Sequence, residues 1–311
     1  MAVNACDCGQ GGSNTGHPNC VTLPSVGSKY IIVQTVADDG TKNRIDSSVD
    51  VLDAAFFAAK YNEPDASKRW FPLGTVENLS DLRDEPIVET FNSGRTRFIQ
   101  EGQSKVSFLQ PDFGAKWLGK AQSFMCGEYS VYEVDADGTL EGTKTVESGI
   151  TYLEPTPLQK DSFYPRLIKA TDTTGSAIQI QFEYDKSVND ANYCYVVKAD
   201  MDNHNLLKDK GLLDINLAAS NEATTGVTIT VTTDYGDIYS PDYVEGLVVG
   251  DFAAAEVLPA PGAIAITSAT ESSPGVYDLV YTAPQTAADT QTVTVTKTGF
   301  AITTSPIYTT P

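Results

Sequence analysis

The chain is 311 residues long, 41% hydrophobic and 9% aromatic, enough for about two domains with real cores and too apolar for wholesale disorder. Its 21 basic and 41 acidic residues give a net charge of -20, which excludes tight adhesion to DNA or to anionic membranes. The deficit is uneven, because from Leu212 onward 11 acidic residues face only Lys297, while the first 211 residues carry 20 basic and 30 acidic residues. Each part therefore carries -10, the second on half the length. No apolar run reaches the ~18 residues of a transmembrane helix. The start, MAVNACDCGQGGSN, has neither the basic nor the apolar stretch of a secretory signal. The expectation is a chain made and folded in a cytoplasm, with thiols or metal ligands rather than disulfides.

Residues 1–28 read as an extended N-terminal arm rich in Gly, Asn, Cys and Pro. They hold Cys6, Cys8, His17 and Cys20, a set of donors that could close a tetrahedral zinc site. The Cys-x-Cys spacing is tighter than the usual zinc knuckle. A later cysteine crosslink and plain free thiols therefore stand beside zinc as readings, and no cofactor is expected.

Residues 29–211 read as a β domain. Lys29–Val36 (KYIIVQTV) predicts a strand, turned by Asp38-Asp39-Gly40. Asp50–Tyr61 suits a short Ala-rich helix with Ser47 or Ser48 as its N-cap. Trp70, Phe71 and Pro72 are expected in a core or an interface, and Ser80–Glu85 reads as a solvated loop. Ile87–Phe91 and Thr96–Leu109 predict a hairpin around Asn92-Ser93-Gly94. Along its second arm Phe98, Val106 and Phe108 share one parity, and Arg97, Glu101, Gln103, Lys105 and Ser107 share the other, as on a strand with one wet face.

Pro111 and Asp112 open a helix on which Phe113, Trp117, Leu118 and Ala121 form one apolar stripe. Tyr129–Val134 is expected as a strand ending in a hairpin whose two turn residues are Asp137-Gly138. Asp135-x-Asp137-Gly138 resembles the start of a calcium loop but lacks the later ligands, so the turn is the better reading. A polar run follows to Ser148. Ile150–Pro157, Ala177–Tyr184 and Tyr193–Val197 predict further strands. In AIQIQFEY the apolar set Ile178, Ile180, Phe182 and Tyr184 alternates with Gln179, Gln181 and Glu183.

From Leu212 to Pro311 the texture changes to short Thr- and Val-rich segments between turns: LLDINLAA, VTITVTT, EGLVVGDF, GAIAITSAT, GVYDLVYTA and TQTVTVTKT. This density of strand signals argues an immunoglobulin-like β-sandwich with Tyr277 pointing inward. The segment holds no Cys and no Trp, so the likeness is architectural.

Catalytic signatures are lacking. The two histidines, His17 and His204, lie in loop-like segments, and no HExxH, Gly-x-Ser-x-Gly or phosphate-loop motif occurs. Carboxylates are abundant enough for a glycosidase pair by residue type, yet most lie in turns or alternate along strands, which favours a solvated role. Aromatics are not interleaved with basic residues as on a single-stranded nucleic-acid platform. The expectation is a structural protein, not an enzyme.

The run ETFNSGRTRFIQEGQSKVSFL, the helix, EYSVYEVDADGTLEG and IQIQFEYD together resemble the major tail tube proteins of long-tailed bacteriophages, in the form found in phages of Bacteroidetes-type hosts. NTGHPNC followed by YIIVQTVADDGTKNRID is similar to the start of virion structural proteins of that group. The resemblance implies a mainly β fold, a tail-tube-type β-sandwich or half-barrel with one packed helix, followed by the Ig-like β-sandwich. It implies a virion tail component assembled in the host cytoplasm, in contact with copies of itself and with neighbouring tail proteins. Its rings, usually hexameric, would stack into a tube that passes double-stranded DNA during ejection. On this reading Gln179, Gln181, Glu183, Glu101, Gln103 and Lys105 face the lumen, and Phe113, Trp117, Leu118 and Ala121 pack the helix or serve assembly. The long segment from Asp38 to Trp70 would reach the next ring. Other virion rings (neck, tail terminator or distal tail) and an acidic Ig-like surface or adhesion protein are the alternatives.

Overall fold

The computed structural model describes residues 4–5, 25–100, 102–111, 113–235, 239–258 and 261–311. The chain is mainly β, 47% strand and 11% helix, and divides into two compact units, Met1–Gly211 and Leu212–Pro311.

The first unit is built on a curled half-barrel sheet. Its central path runs Tyr193–Val196, Leu140–Glu147, Tyr129–Asp135, Gly27–Gln34 and Trp70–Pro72. The strand Gly27–Gln34 is apolar without alternation, because both of its faces are buried. Tyr30 and Ile32 join one core with Val106, Phe108, Ile178, Ile180 and Phe182. Ile31 and Val33 join the other, with Phe57, Trp70, Tyr132 and Leu153. A second, four-stranded sheet closes the first core, in the order Tyr164–Ile168, Ala177–Glu183, Ser104–Gln110, Glu77–Arg83. Lys29 lies on the other side, only 1% exposed, and its Nζ donates to the carbonyls of Leu206 (2.9 Å), Leu207 (3.4 Å) and Asp209. Burial lowers its pKa to about 8.

Helix α1, Ala54–Tyr61, starts at Asp53, whose carboxylate accepts from the Phe56 amide at 2.8 Å. Ser47 and Ser48 are therefore not the cap. They belong to a preceding turn in which Asp46 accepts from Ser48 and Asp50 accepts from the Asp46 amide. The segment between Asp38 and Trp70 is no free loop either. Ile45, Leu52, Phe57 and Tyr61 bury in the second core, and Asn43 Nδ2 ties Gln34 to Ser67 through their carbonyls. Helix α2, Ala115–Gln122, begins at Gly114 with no side-chain cap. Ala121 is 2% exposed, and Phe113, Trp117 and Leu118 pack half-buried against the first core.

Three hairpin turns share one geometry. In Ala37–Thr41, Phe91–Arg95 and Asp135–Thr139 the first residue's amide donates to the last one's carbonyl, and a glycine at the third loop position (Gly40, Gly94, Gly138) has φ near +80°. This is the three-residue loop with a left-handed closing residue, a conformation glycine adopts without strain. For Asp137-Gly138 the loop is thus one residue longer than the expected two-residue turn, and the pairing register shifts accordingly.

Two further segments differ from expectation. Glu77–Arg83 is an edge strand rather than a solvated loop, paired with Ser104–Gln110. The polar run after Gly138 is the strand Leu140–Glu147, which sits inside the large sheet and pairs on both sides.

The second unit has two antiparallel sheets around one apolar cluster. One runs Ile215–Ala223, Gly226–Thr233, Val276–Tyr281, Ile266–Ser273; the other runs Gly262–Ile264, Phe252–Leu258, Thr290–Val295, Thr303–Thr304, with Tyr308–Thr309 also on Thr290–Val295. Val227, Ile229 and Val231 point in and the threonines between them point out, which is why the segment reads as Thr-Val alternation. Tyr277 is fully buried and its hydroxyl donates to the Val244 carbonyl at 2.8 Å. EGLVVGDF is not a strand; it ends in a short 3-10 turn, Val249–Asp251, and the strand begins at Phe252 with an alanine run.

Candidate functional site

Three surfaces of the first unit carry its distinctive chemistry: the outer face of the four-stranded sheet, an exposed hairpin, and an acidic cavity.

On the four-stranded sheet, Ile178, Ile180 and Phe182 are buried and Gln179, Gln181 and Glu183 lie on the opposite face. Register places Gln181 opposite Ser107 and Glu183 opposite Lys105. Gln179, Gln181 and Glu183 thus share one face with Lys105 and Ser107 of the neighbouring strand. Gln179 Nε2 donates to Ser107 Oγ at 2.8 Å, and Arg166 Nε from the next strand donates to Gln179 Oε1 at 2.7 Å. Lys105 Nζ is 2.9 Å from Asp84 and 3.9 Å from Glu183, so its charge is answered locally. The face is a net of amides and hydroxyls whose hydrogen bonds are largely satisfied among themselves. Gln103 sits at its end, with Nε2 donating to the Tyr184 carbonyl at 3.3 Å. Glu101 lies outside the described residues.

The hairpin consists of Ile87–Thr90 and Thr96–Gln100, which pair with each other and with no other strand among the described residues. Every described side chain from Asp81 to Ile99 is exposed, including Ile87, Val88, Phe91, Phe98 and Ile99. Phe98 is therefore not a core residue in line with Val106 and Phe108; it is 57% exposed, because the strand breaks before Ser104. The base is pinned where the Asp84 amide donates to the Gln103 carbonyl at 3.0 Å. Gly102 lies so close to the Asp84 backbone there that a Cβ would collide with it. A lone two-stranded hairpin is marginally stable in water at best, and apolar side chains of this size rarely cluster in the open without a partner.

The cavity, about 610 Å³, is lined by the strand residues Glu133 and Glu141 and by the segment 184–190 with Tyr193. Glu133 and Glu141 are direct partners across the hairpin that turns at Asp135–Thr139. Glu141 is 6% exposed, and its Oε1 has no hydrogen-bond partner. Burial pushes the Glu141 carboxyl up to about 8 and the Glu133 carboxyl up to about 7. Sequence reading missed this pair. Its signal was two glutamates flanking a turn, but a two-residue loop would have paired Glu141 with Val134 instead.

Cys6, Cys8, His17 and Cys20 lie outside the described residues. Among the described residues no group of three or more His, Cys, Asp or Glu side chains is arranged to hold a metal ion. Cys126 is exposed and Cys194 is buried in the second core. His204 stacks on Phe57 and sits 2.9 Å from Asp209. No described helix is long and apolar enough to cross a membrane. Comparison with protein-family models, with curated proteins and with solved structures returned no match.

Proposed function

We propose that the chain is a structural subunit of a bacteriophage tail tube, whose copies join into stacked rings and whose lumen passes double-stranded DNA. The observation that carries this reading is the exposed hairpin at 87–100, an unpaired two-stranded arm with five large apolar side chains in the open. Such an arm gains stability by laying its edge or its apolar face on a second copy, which covers both the free strand edge and the apolar side chains. In this role it takes the place first expected of the segment from Asp38 to Trp70, which is occupied in covering its own core.

The amide face around Gln179 and Gln181 suits a lumen. Its groups are hydrogen-bonded to one another, and the chain around them carries a net charge of -20, so phosphate would be repelled or slide rather than be held. The second unit is read as an Ig-like module. Lettering its strands in chain order gives A-B-E-D on one sheet and C′-C-F-G on the other, the order of an immunoglobulin-type sandwich. The proposed role is structural throughout. Electron microscopy of the purified full chain tests it: rings or tubes support the reading, and a monomer that persists at high concentration ends it.

A further inference from the structure

We propose that the acidic cavity lined by Glu133 and Glu141 is a binding site for a small organic cation carrying an ammonium or guanidinium group. This inference rests on the cavity alone and stands whether or not the chain forms tubes.

Two carboxyl groups on directly opposed residues of neighbouring strands repel each other when both are charged. Here they are also withdrawn from water. Glu141 is more than nine-tenths buried, and its Oε1 makes no hydrogen bond. The Tyr193 hydroxyl, buried in the same cavity lining, faces the Glu141 carboxyl. Unanswered polar atoms of this kind cost stability unless something supplies the missing donor, and a bound cation would supply it to the carboxylate.

The lining as a whole has a sign. Asp81, Glu133, Glu141, Asp185 and Asp190 face it against Arg83 and Lys186, and Arg83 is committed to Asp190 at 2.6 Å. Tyr184 and Tyr193 add aromatic rings, which attract cations through their faces. Size and composition favour an organic cation over a metal ion. About 610 Å³ is the volume of a small-molecule pocket, and among the described residues no group of three or more acidic, histidine or cysteine side chains is arranged to hold a metal ion. Glu133 packs directly on Gly27, where a Cβ would fall on its carboxylate.

Binding should release protons. The groups facing the two carboxyls are Tyr30, Asp81, Asp135, Tyr184 and Tyr193, none of which brings a positive charge. An arriving cation would therefore favour ionisation of Glu133 and Glu141, and their protons would pass to the buffer.

Isothermal titration of the full chain with putrescine, methylguanidine and calcium chloride, in buffers of different ionisation enthalpy, tests the proposal. The expected result is saturable binding of at least one organic cation near pH 8 with net proton uptake by the buffer, weakened about tenfold or more near pH 6. Glu141→Gln or Glu133→Gln should weaken it about tenfold, while Glu271→Gln, on the other unit, should leave it unchanged. Each variant's thermal melt confirms its fold, and the wild-type titration decides even where one variant fails to fold. Three results would overturn the proposal: no saturable binding of either organic cation, binding of calcium alone, or equal binding by the folded glutamine variants, which would mark adhesion to the acidic surface at large.

Discussion

The strand Gly27–Gln34 and the hairpin at 87–100 are written in much the same alphabet and end in opposite places. Tyr30, Ile31, Ile32 and Val33 are all essentially inaccessible, whereas Ile87, Val88, Phe98 and Ile99 are each more than half exposed. β-Branched and aromatic residues favour extended backbone in both, so local propensity does not separate them. The difference is what lies on each side. The core strand is covered on both faces by its own chain, by α1 and Trp70 on one side and by the four-stranded sheet on the other. The hairpin has no cover within its unit among the described residues. On the proposed reading, this segment is the surface kept for a second copy of the chain.

Breaking the covered side should have the largest effect on stability. Tyr30 stacks on Phe108 at 5.1 Å and meets Phe182 edge-on at 5.3 Å, and Trp70 packs on Tyr132 at 4.8 Å. Tyr30→Ala or Trp70→Ala should cost about 3–5 kcal/mol. Urea denaturation of Tyr30→Ala can be followed by tryptophan fluorescence, which reports the first unit alone because Trp70 and Trp117 are the chain's two tryptophans.

A pH series probes the next largest effect. Glu133 and Glu141 ionise at their ordinary value of 4.5 in the unfolded chain but hold their protons in the fold to about 7 and about 8. Between those limits the folded form binds protons that the unfolded form has lost, so stability falls as pH rises. The loss is on the order of 2 kcal/mol per carboxyl once solvent screening is allowed for. Lys29 has the opposite sign. Its pKa drops from 10.5 to about 8, so above that value the fold has shed a proton that the unfolded chain keeps, and stability recovers. Tryptophan-monitored urea midpoints should therefore pass through a minimum near pH 8, and Glu141→Gln should flatten the acidic limb.

A smaller gain is expected in the second unit. Gln291 is fully buried on Thr290–Val295, and neither its Oε1 nor its Nε2 has a partner. Gln291→Leu removes both unanswered groups at similar volume and should stabilise that unit by about 1–2 kcal/mol, seen as a rise in calorimetric Tm with no change in the fluorescence transition. The smallest effect belongs to the hairpin. Val88→Asp with Phe98→Asp should shift the fluorescence-detected stability by less than about 0.5 kcal/mol, because neither side chain packs on the core of its own unit.

What the sequence made legible follows the same division. In AIQIQFEY strict alternation marked one buried and one wet face, and the register then placed Gln181 beside Ser107 and Glu183 beside Lys105. Trp117, Leu118 and Ala121 marked a helix that packs on its own unit's core, but it opens at Gly114 rather than at Pro111 and Asp112, so Phe113 packs from just outside it. Glu77–Arg83 was hidden because an exposed edge strand can be wholly polar. Leu140–Glu147 was hidden because a glycine and charged residues replace alternation in a strand beside a cavity. The Glu133–Glu141 pairing turned on a single loop residue, since a slip of one changes every cross-strand partner. The hairpin itself was visible, but not its isolation, because exposure is decided by the rest of the chain.

Assembly is where the comparison meets its most direct test. Light scattering and electron microscopy should be run on the full chain over a rising concentration series, beside the Val88→Asp, Phe98→Asp variant. The account predicts rings or stacked tubes for the wild type, and for the variant a monomer with an unchanged fluorescence melt. A wild-type chain that remains monomeric throughout, or a variant that assembles as well as the wild type, would contradict it.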